Sequence, residues 1–296
     1  MTQKTRGISK WQRLGWIGGL CLSVAGLGAG TPALSQSGGV RHPLTTEHVD
    51  LKVVISPEGT NLLQVVLRDH LRFTNRISSQ TVIRVPEAAQ LTIPPGFETL
   101  GPVGSPLWVL PASQDPGLLY LGLSTEGLDL NPQVIDLFVR RIEGPAHVCV
   151  WQFDGTGGLA LTVQSRDGLT ERDRLGLPIG AHQHHNMGFS APGLTTVWLQ
   201  ARAQLDGTNV WSAETPILFS VEPLPESLPI LGSPRLGAPG NLDFSLSGTP
   251  GKTSHLETSP DLLHWDPVGT VTPGFDPVTV TVPVGSSSPN RFYRAR

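Results

Sequence analysis

Hydrophobic and polar positions alternate with a period of two along much of the chain. In the clearest run, residues 195–205, one face carries Val197, Leu199, Ala201 and Ala203, and the other face carries mainly polar side chains. Because successive side chains of a β-strand point to opposite sides, this alternation predicts a strand with one buried face. Shorter runs of the same kind are found at residues 49–55, 62–67, 134–139 and 159–163.

Turn-forming residues separate these runs. The 296 residues include 34 glycines and 27 prolines, and Pro-Gly or Asp-Gly signals at 94–96, 154–155 and 206–207 lie between predicted strands. No segment shows the capped amphipathic pattern of a stable helix. The sequence therefore predicts an all-β protein, in which a β-sandwich domain is followed by a small fibronectin-like β-sandwich module.

Residues 1–35 have the pattern of a secretory signal peptide. Four basic residues precede an apolar, glycine-rich stretch at 14–30, and Ala33-Leu34-Ser35 supplies the small residues of a cleavage site. The apolar stretch is shorter than the roughly 20 residues that span a bilayer. We therefore expect an exported protein, located in the periplasm, at the cell surface or outside the cell, with no transmembrane segment in the mature chain.

Removal of this segment makes the chain more acidic. The full sequence has 21 basic and 24 acidic residues, a net charge of −3, and the segment contains four of the basic residues and none of the acidic ones. The mature chain would carry a charge of −7, which disfavours a nucleic-acid partner. It would keep one cysteine, Cys149, and the apolar run 148–151 predicts that this residue is buried in a strand.

The distribution of proline divides the mature chain. Five prolines fall between residues 223 and 240, which is typical of a semi-rigid extended linker. This predicts a larger β-sandwich domain at 36–222, a linker at 223–240 and a C-terminal β-module at 241–296. The module should contain about five strands around a core of Phe244, Leu256, Trp265 and Phe292.

The candidate chemistry lies in the run 180–189, which contains three of the nine histidines. On a continuous strand His182, His184 and Asn186 would share one face, and a His-x-His pair is a common arrangement for a transition metal. His48 and the adjacent Asp50 are candidates for the remaining ligands, and His147 is another. The alternative is a polar cluster that only hydrogen-bonds loops. His70, His255 and His264 are expected to be surface or strand-end residues.

The motifs of common enzyme classes are missing from the sequence. A cupin needs a Glu several residues after its His-x-His pair, and Gly188 and Phe189 stand there instead. There is no Gly-x-Ser-x-Gly elbow and no glycine-rich phosphate loop. We therefore expect a protein that is not an enzyme, with a cupin-like or hydrolytic activity as a minor alternative.

Several segments in a fixed order resemble a known family. They are Glu47-His48-Val49-Asp50, Trp108-Val109-Leu110-Pro111, Gly117-Leu118-Leu119-Tyr120-Leu121-Gly122, Gly144-Pro145-Ala146 and His182-Gln183-His184-His185-Asn186-Met187-Gly188-Phe189. From about residue 40 to 221 the chain resembles the choice-of-anchor M domain, a surface-anchored protein domain, except that Met187 replaces the family's Trp. Some members lie beside metal-type ABC transporters, so the resemblance implies a function related to metal.

The C-terminal residues show a second resemblance. Leu256 to Trp265 and the closing Arg291-Phe292-Tyr293-Arg294-Ala295-Arg296 are similar to a module common on secreted proteins of Verrucomicrobia-like bacteria. That module accompanies many unrelated proteins, so the resemblance implies export and a modular architecture rather than a particular chemistry.

Two main hypotheses follow. The first is an exported binding protein that holds zinc, copper or manganese, with metal ligands drawn from His182, His184, His48, Asp50 and Asn186 and no other cofactor. The second is a structural or adhesive module of the cell surface without metal, in which exposed aromatic side chains such as Trp108, Trp198 or Trp211 would contact a glycan. In both, the expected partner is a component of the cell envelope or the extracellular space.

Overall fold

The computed structural model of the protein describes residues 34–56, 61–130, 134–283 and 291–296. Of the predicted signal peptide, only its last two residues are among them. Within these residues no helix is both long enough and apolar enough to cross a membrane.

The described chain is built from β-strands joined by turns and by two short 3-10 turns at Ser78–Gln80 and Glu87–Ala89. The strands up to residue 124 are β1 (Ser35–Ser37), β2 (His42–Leu44), β3 (His48–Ile55), β4 (Leu63–Asp69), β5 (Thr74–Arg76), β6 (Thr81–Val85), β7 (Gln90–Thr92), β8 (Pro106–Leu110) and β9 (Tyr120–Ser124). The next are β10 (Val134–Glu143), β11 (Val148–Phe153), β12 (Leu159–Gln164), β13 (Arg174–Pro178), β14 (His182–His184), β15 (Asn186–Phe189), β16 (Gly193–Leu205), β17 (Thr208–Trp211) and β18 (Thr215–Val221). The last are β19 (Ile230–Leu231), β20 (Arg235–Leu236), β21 (Asn241–Ser247), β22 (Ser254–Ser259), β23 (Asp266–Val271), β24 (Val278–Pro283) and β25 (Phe292–Ala295).

Three sheets form the larger domain. Sheet 1 has the order β13-β10-β16-β18-β6-β2, with β17 beside β16; sheet 2 has the order β14-β9-β3-β4-β5; and sheet 3 has the order β12-β11-β15-β8-β7. One hydrophobic core takes side chains from all three sheets, among them Leu51, Leu199 and Phe189. The predicted all-β, sandwich-type fold is confirmed.

Strand β16 shows how the sequence pattern produces this packing. It pairs antiparallel with β10 on one side and β18 on the other, so its backbone hydrogen bonds are made within sheet 1. Its side chains alternate between buried and half-buried, with Val197 at 1% exposure and Ala201 at 0%. The apolar face predicted for 195–205 is the face that packs into the core.

The C-terminal residues form two small sheets around a separate core. The five strands predicted for the C-terminal module correspond to β21, β22, β23, β24 and β25. Phe244 and Leu256 are buried as expected. The prediction was wrong for Phe292, which is 40% exposed, and for Trp265, which is half-buried and packs against the guanidinium of Arg294.

Three strands of one C-terminal sheet come from outside the predicted module. Strands β19 and β20, within the predicted linker 223–240, both pair antiparallel with β21. Strand β1, at the predicted cleavage site, pairs with β24 on the other side of the same sheet. The prolines therefore do not keep the whole stretch extended in solvent, because the residues between them have backbone groups free to pair with the edge of β21.

Cys149 is the free cysteine among the described residues, and it lies buried in β11. Burial raises the pKa of its thiol to about 12, so the thiol stays protonated at neutral pH. This confirms the prediction of a buried strand residue and makes a reactive thiolate unfavourable.

The core makes a quantitative prediction about stability. Phe219 is fully buried and its ring packs 4.8 Å from that of Phe189. Phe219→Ala should lower the free energy of unfolding by about 3–5 kcal/mol, because it removes apolar contacts and leaves a cavity. Urea denaturation measures this value, and Phe153→Ala serves as the control because Phe153 is 56% exposed. Equal effects of the two substitutions would contradict the assigned core.

Candidate metal centre

The outer face of sheet 2 carries the candidate site. The first strand that contributes is β3, in which Val49, Leu51 and Val53 point into the core. Strand alternation therefore places His48 and Asp50 on the opposite face, away from the apolar interior. Polar residues alternate with buried valines and leucines along β3, so the polar side chains all lie on one face of the strand.

Strand β9 lies between β3 and β14 and joins the two halves of the site. It pairs in parallel with β3, so that Gly122 lies beside Asp50, and antiparallel with β14, so that Gly122 also lies beside His184. A Cβ atom at this position would overlap Asp50 Oδ1 and would come within 2.9 Å of His184 Cε1. Gly122 therefore leaves the space through which side chains of β3 and β14 meet across β9.

His70 enters the site from the hairpin partner of β3. Strand β4 pairs antiparallel with β3, and the amide of His70 donates a hydrogen bond to the carbonyl of His48 at 3.0 Å. The preceding residue, Asp69, is buried and accepts hydrogen bonds from the Arg72 amide and the Arg76 guanidinium. Burial alone would raise the pKa of Asp69, but these bonds hold it below its ordinary value. The charged Asp69 thus fixes the turn that carries His70.

Four side chains converge on one point. His48, Asp50, His70 and His182 each present a ligand atom, and these atoms all lie within 4.8 Å of one another. His48 Nε2 is 3.2 Å from His182 Nε2, and both nitrogens are 3.2 Å from Asp50 Oδ1. His70 Nε2 is 2.8 Å from Asp50 Oδ2. The cluster could hold a metal ion.

Asp50 is the most deeply buried member of this cluster. The residue is 0% exposed, and its Oδ1 makes no hydrogen bond although two imidazole nitrogens are 3.2 Å away. The distances satisfy an ion pair, whereas the directions of the rings do not satisfy a hydrogen bond. A buried carboxylate oxygen without a hydrogen bond is costly unless a cation lies against it. A metal ion among the three imidazoles would supply that cation.

Burial also controls the charge of the imidazoles. It lowers the pKa of His48; the negative charge of Asp50 opposes this shift, and the neighbouring His70 and His182 add to it. Burial lowers the pKa of His184 as well. Metals bind the neutral imidazole, so a depressed pKa keeps the ligand nitrogen available at neutral pH.

Further contacts orient the rings. His182 Nδ1 lies 3.7 Å from the carboxylate of Glu126, which also accepts a hydrogen bond from the hydroxyl of Ser124. A carboxylate behind the second ring nitrogen favours the tautomer in which Nε2 is free to bind metal. His48 stacks on His70 with ring centroids 4.1 Å apart. The three rings therefore stand side by side, each with its Nε2 within 3.2 Å of a carboxylate oxygen of Asp50.

His184 lies beside the four-residue cluster. Its ring stacks on Tyr120 at 3.6 Å, and its Nδ1 is 3.0 Å from the carbonyl oxygen of Leu121. The ring centroids of His184 and His182 are 5.0 Å apart. The structure therefore places the predicted His182 within the cluster and the predicted His184 on its wall.

Asn186 is not at the site, and the prediction that it shares a face with His182 was wrong. The chain leaves sheet 2 after β14 and enters sheet 3 with β15, so the run is not one continuous strand. Asn186 is buried there, its Oδ1 accepts a hydrogen bond from the Ala112 amide, and its Nδ2 donates to the Trp151 carbonyl. These bonds join strands and leave no free oxygen directed at the cluster.

His70 is the ligand candidate that sequence reasoning missed. It was expected to be a strand-end residue, which it is, but the strand end lies opposite His48. A sequence signal for this contact was present, because Pro-Glu-Gly between the strand-like runs 49–55 and 62–67 favours a turn. The two runs pair as an antiparallel hairpin, which brings residue 48 next to residue 70. His147, the other candidate, is not a member of the cluster; its amide bonds to the Ser190 hydroxyl.

The tryptophans considered for glycan contact are covered on at least one side. Trp108 is 4% exposed. The guanidinium of Arg141 lies 3.6 Å from the ring centre of Trp198, and that of Arg140 lies 4.8 Å from the ring centre of Trp211. Stacked arginines occupy the ring faces that a sugar would use.

No known protein-family model matches the chain, and no curated protein matches it in sequence.

The close approach at Gly122 can be tested by adding one methyl group. Gly122→Ala should destabilise the domain by about 1–3 kcal/mol, because the new Cβ displaces the buried Asp50 carboxylate. Urea denaturation measures the change. Gly155→Ala is the matched control, since its Cβ would meet nothing within 4 Å. A Gly122 variant as stable as this control would contradict the described packing.

The half-buried His185 predicts a dependence of stability on pH. Burial, with a smaller contribution from His184, lowers its pKa from 6.5 to about 4. The unfolded chain therefore binds this proton at higher pH than the folded chain, and stability should fall as the pH falls from about 6.5 towards 4.

His185→Leu should remove this part of the loss, as measured by urea denaturation at a series of pH values. His147→Leu is the control, because His147 is exposed on the same domain. If both variants keep the slope of the unmodified protein, His185 is not the group that takes up the proton.

Proposed function

We propose that the protein is an exported, non-enzymatic binding protein that holds one transition-metal ion between His48, Asp50, His70 and His182. The observation that carries the proposal is the convergence of three imidazole nitrogens on a buried carboxylate whose Oδ1 has no hydrogen bond. Structural metal sites in proteins use donors of this kind, in this number.

The spacing of the donors supports a tetrahedral ion. Two ligand atoms that each lie about 2.1 Å from a tetrahedral zinc are roughly 3.4 Å apart. His48 Nε2, His182 Nε2 and Asp50 Oδ1 are separated by 3.2 Å in each of their three pairs. Small rotations of the rings would bring these atoms to the ligand distances.

The donor set favours zinc or copper over manganese. Imidazole nitrogen suits zinc and copper, whereas manganese prefers sites made mainly of oxygen donors. Three nitrogens and one carboxylate therefore favour the first two metals, and we propose zinc because the 3.2 Å separations fit a tetrahedral ion.

The position of the site is suited to binding from solution. The side chains of His48, His70 and His182 keep 27–30% of their surface exposed, while Asp50 beneath them is covered. An ion could reach the three nitrogens from outside the sheet without movement of the backbone. Together with the resemblance to a surface-anchored domain, this supports a metal-binding role at the cell envelope.

The proposal is tested by titrating zinc into metal-free protein at pH 7.5 with calorimetric detection. We expect one equivalent to bind. His70→Ala and His48→Ala should each weaken binding by about 10-fold to 100-fold or more, because each removes a ligand. His184→Ala should have a smaller effect, and His255→Ala, in the C-terminal module, should have none.

Elemental analysis of the purified protein and the thermal transition provide independent readouts. Bound zinc should raise the transition temperature of the unmodified protein, because an ion that binds only the folded state stabilises it. Zinc, copper and manganese should each be tried. If none of them binds at one equivalent, or if His70→Ala binds as well as the unmodified protein, the proposed site is wrong.

A further inference from the structure

Two cationic side chains flank the metal cluster on the same face of sheet 2. Arg68 is the register partner of Asp50 on β4, and Lys52 follows Asp50 by two residues on β3. Strand alternation puts both on the outer face with the imidazoles. Positive charge therefore borders the site on the β4 side, through Arg68, and further along β3, through Lys52.

Neither cation has a partner among the described residues. Arg68 and Lys52 are half-buried, and they make no ion pair, hydrogen bond or ring contact there. The other half-buried arginines of the described chain all form ion pairs: Arg41, Arg76, Arg84, Arg140, Arg202 and Arg294. Arg68 is thus the half-buried arginine of the described chain that forms no ion pair, and it lies next to the candidate metal ligands.

The local charge is unfavourable for a divalent cation unless an anion joins it. Near the cluster the carboxylates are Asp50 and the more exposed Glu126, and these are offset by Lys52 and Arg68. A divalent ion would leave the group with a net positive charge. The metal ion and the half-buried Lys52 and Arg68 carry like charges and repel one another. A bound anion would therefore stabilise both the metal and the arginine.

The exposure of the site allows such an anion to approach. The side chains of His48, His70 and His182 keep 27–30% of their surface exposed, whereas Asp50 is covered. Zinc with four ligands sometimes expands its coordination to five. A guanidinium binds carboxylate or phosphate oxygens through two parallel hydrogen bonds, so an oxyanion can contact the metal with one oxygen and Arg68 with another.

We propose that the metal site takes a small oxyanion, a carboxylate or a phosphate, which bonds to the ion and to the guanidinium of Arg68, with Lys52 adding charge. This rests on the proposed metal-binding function and names the ligand that the site accepts together with the ion. The protein would then bind a metal–oxyanion complex rather than the bare cation.

The test titrates acetate and, separately, phosphate into zinc-loaded protein at constant ionic strength, with calorimetric detection. Each of these anions is also titrated into metal-free protein. We expect at least one anion to bind the zinc-loaded form at least tenfold more tightly than the metal-free form. By linkage, that anion should increase the affinity for zinc by the same factor. The anion that binds more tightly identifies the carboxylate or the phosphate source.

The matched variants are Arg68→Gln and Arg172→Gln. Arg172 is exposed, lies away from sheet 2 and has no ion pair among the described residues, so it controls for a change of one charge. Arg68→Gln should weaken anion binding by tenfold or more and should leave zinc affinity in an anion-free buffer unchanged or higher, whereas Arg172→Gln should change neither. Arg68→Lys should restore part of the anion affinity.

The outcomes separate the two proposals. Failure to bind zinc in the anion-free buffer would overturn the metal site and this inference with it. Zinc binding with equal anion affinity in the unmodified protein and Arg68→Gln would overturn only the role of Arg68. Zinc binding with no effect of either anion would show that the ion is bound without an oxyanion. Circular dichroism of each variant establishes that it is folded.

Discussion

The buried carboxylate of Asp50 imposes the main constraint on sheet 2. A charged group without exposure to water needs compensating positive charge or hydrogen bonds, since its desolvation costs several kcal/mol. The strands around it supply three imidazoles, and Gly122 provides the space that the carboxylate occupies. The order β14-β9-β3-β4 is the arrangement that brings these groups together.

The rigidity of the site follows from where its residues lie. His48 and Asp50 are on β3, whose other face packs into the hydrophobic core, so its backbone is held by sheet hydrogen bonds and by burial. His182 is on β14, whose backbone is held by its pairing with β9. His70 lies just past the end of its strand and is fixed by the bonds that Asp69 makes with two arginines. A site built on such elements changes little when a ligand binds, which suits a protein that captures an ion and holds it.

The sequence predicted the strands more successfully than the site. In an alternating run such as 195–205, only one face is apolar, so the sequence alone predicts which side chains are buried. The observed strand buries that face. The site depends on the pairing of strands that are distant in the sequence. His182 was chosen from its local motif and does join His48 and Asp50, but Asn186 was assigned to the same face on the assumption that the strand continued past His185.

The errors have a common physical origin in long-range pairing. Asn186 lies in sheet 3 rather than in sheet 2 with His182, and β19 and β20 pair with the edge of β21. His70 lies opposite His48 in the hairpin of β3 and β4. Phe292 was expected in the core because it is aromatic, but Tyr293 and Ala295 are the residues of β25 that pack against the core, and strand alternation leaves Phe292 on the other face. None of these relations is contained in the local pattern except the hairpin, which the turn signal between two strand-like runs could have revealed.

By itself the sequence determined the all-β class, most strand positions, the buried Cys149 and a histidine run with ligand chemistry, because each depends on neighbours along the chain. The tertiary structure decided which of these side chains meet. It placed β9, with its glycine, between the strands that carry His48, Asp50 and His182, and it left Arg68 beside a buried carboxylate with no partner in the described part of the chain. Distances across a sheet depend on strand order and register, and these are decided by the burial of the whole core rather than by any one segment.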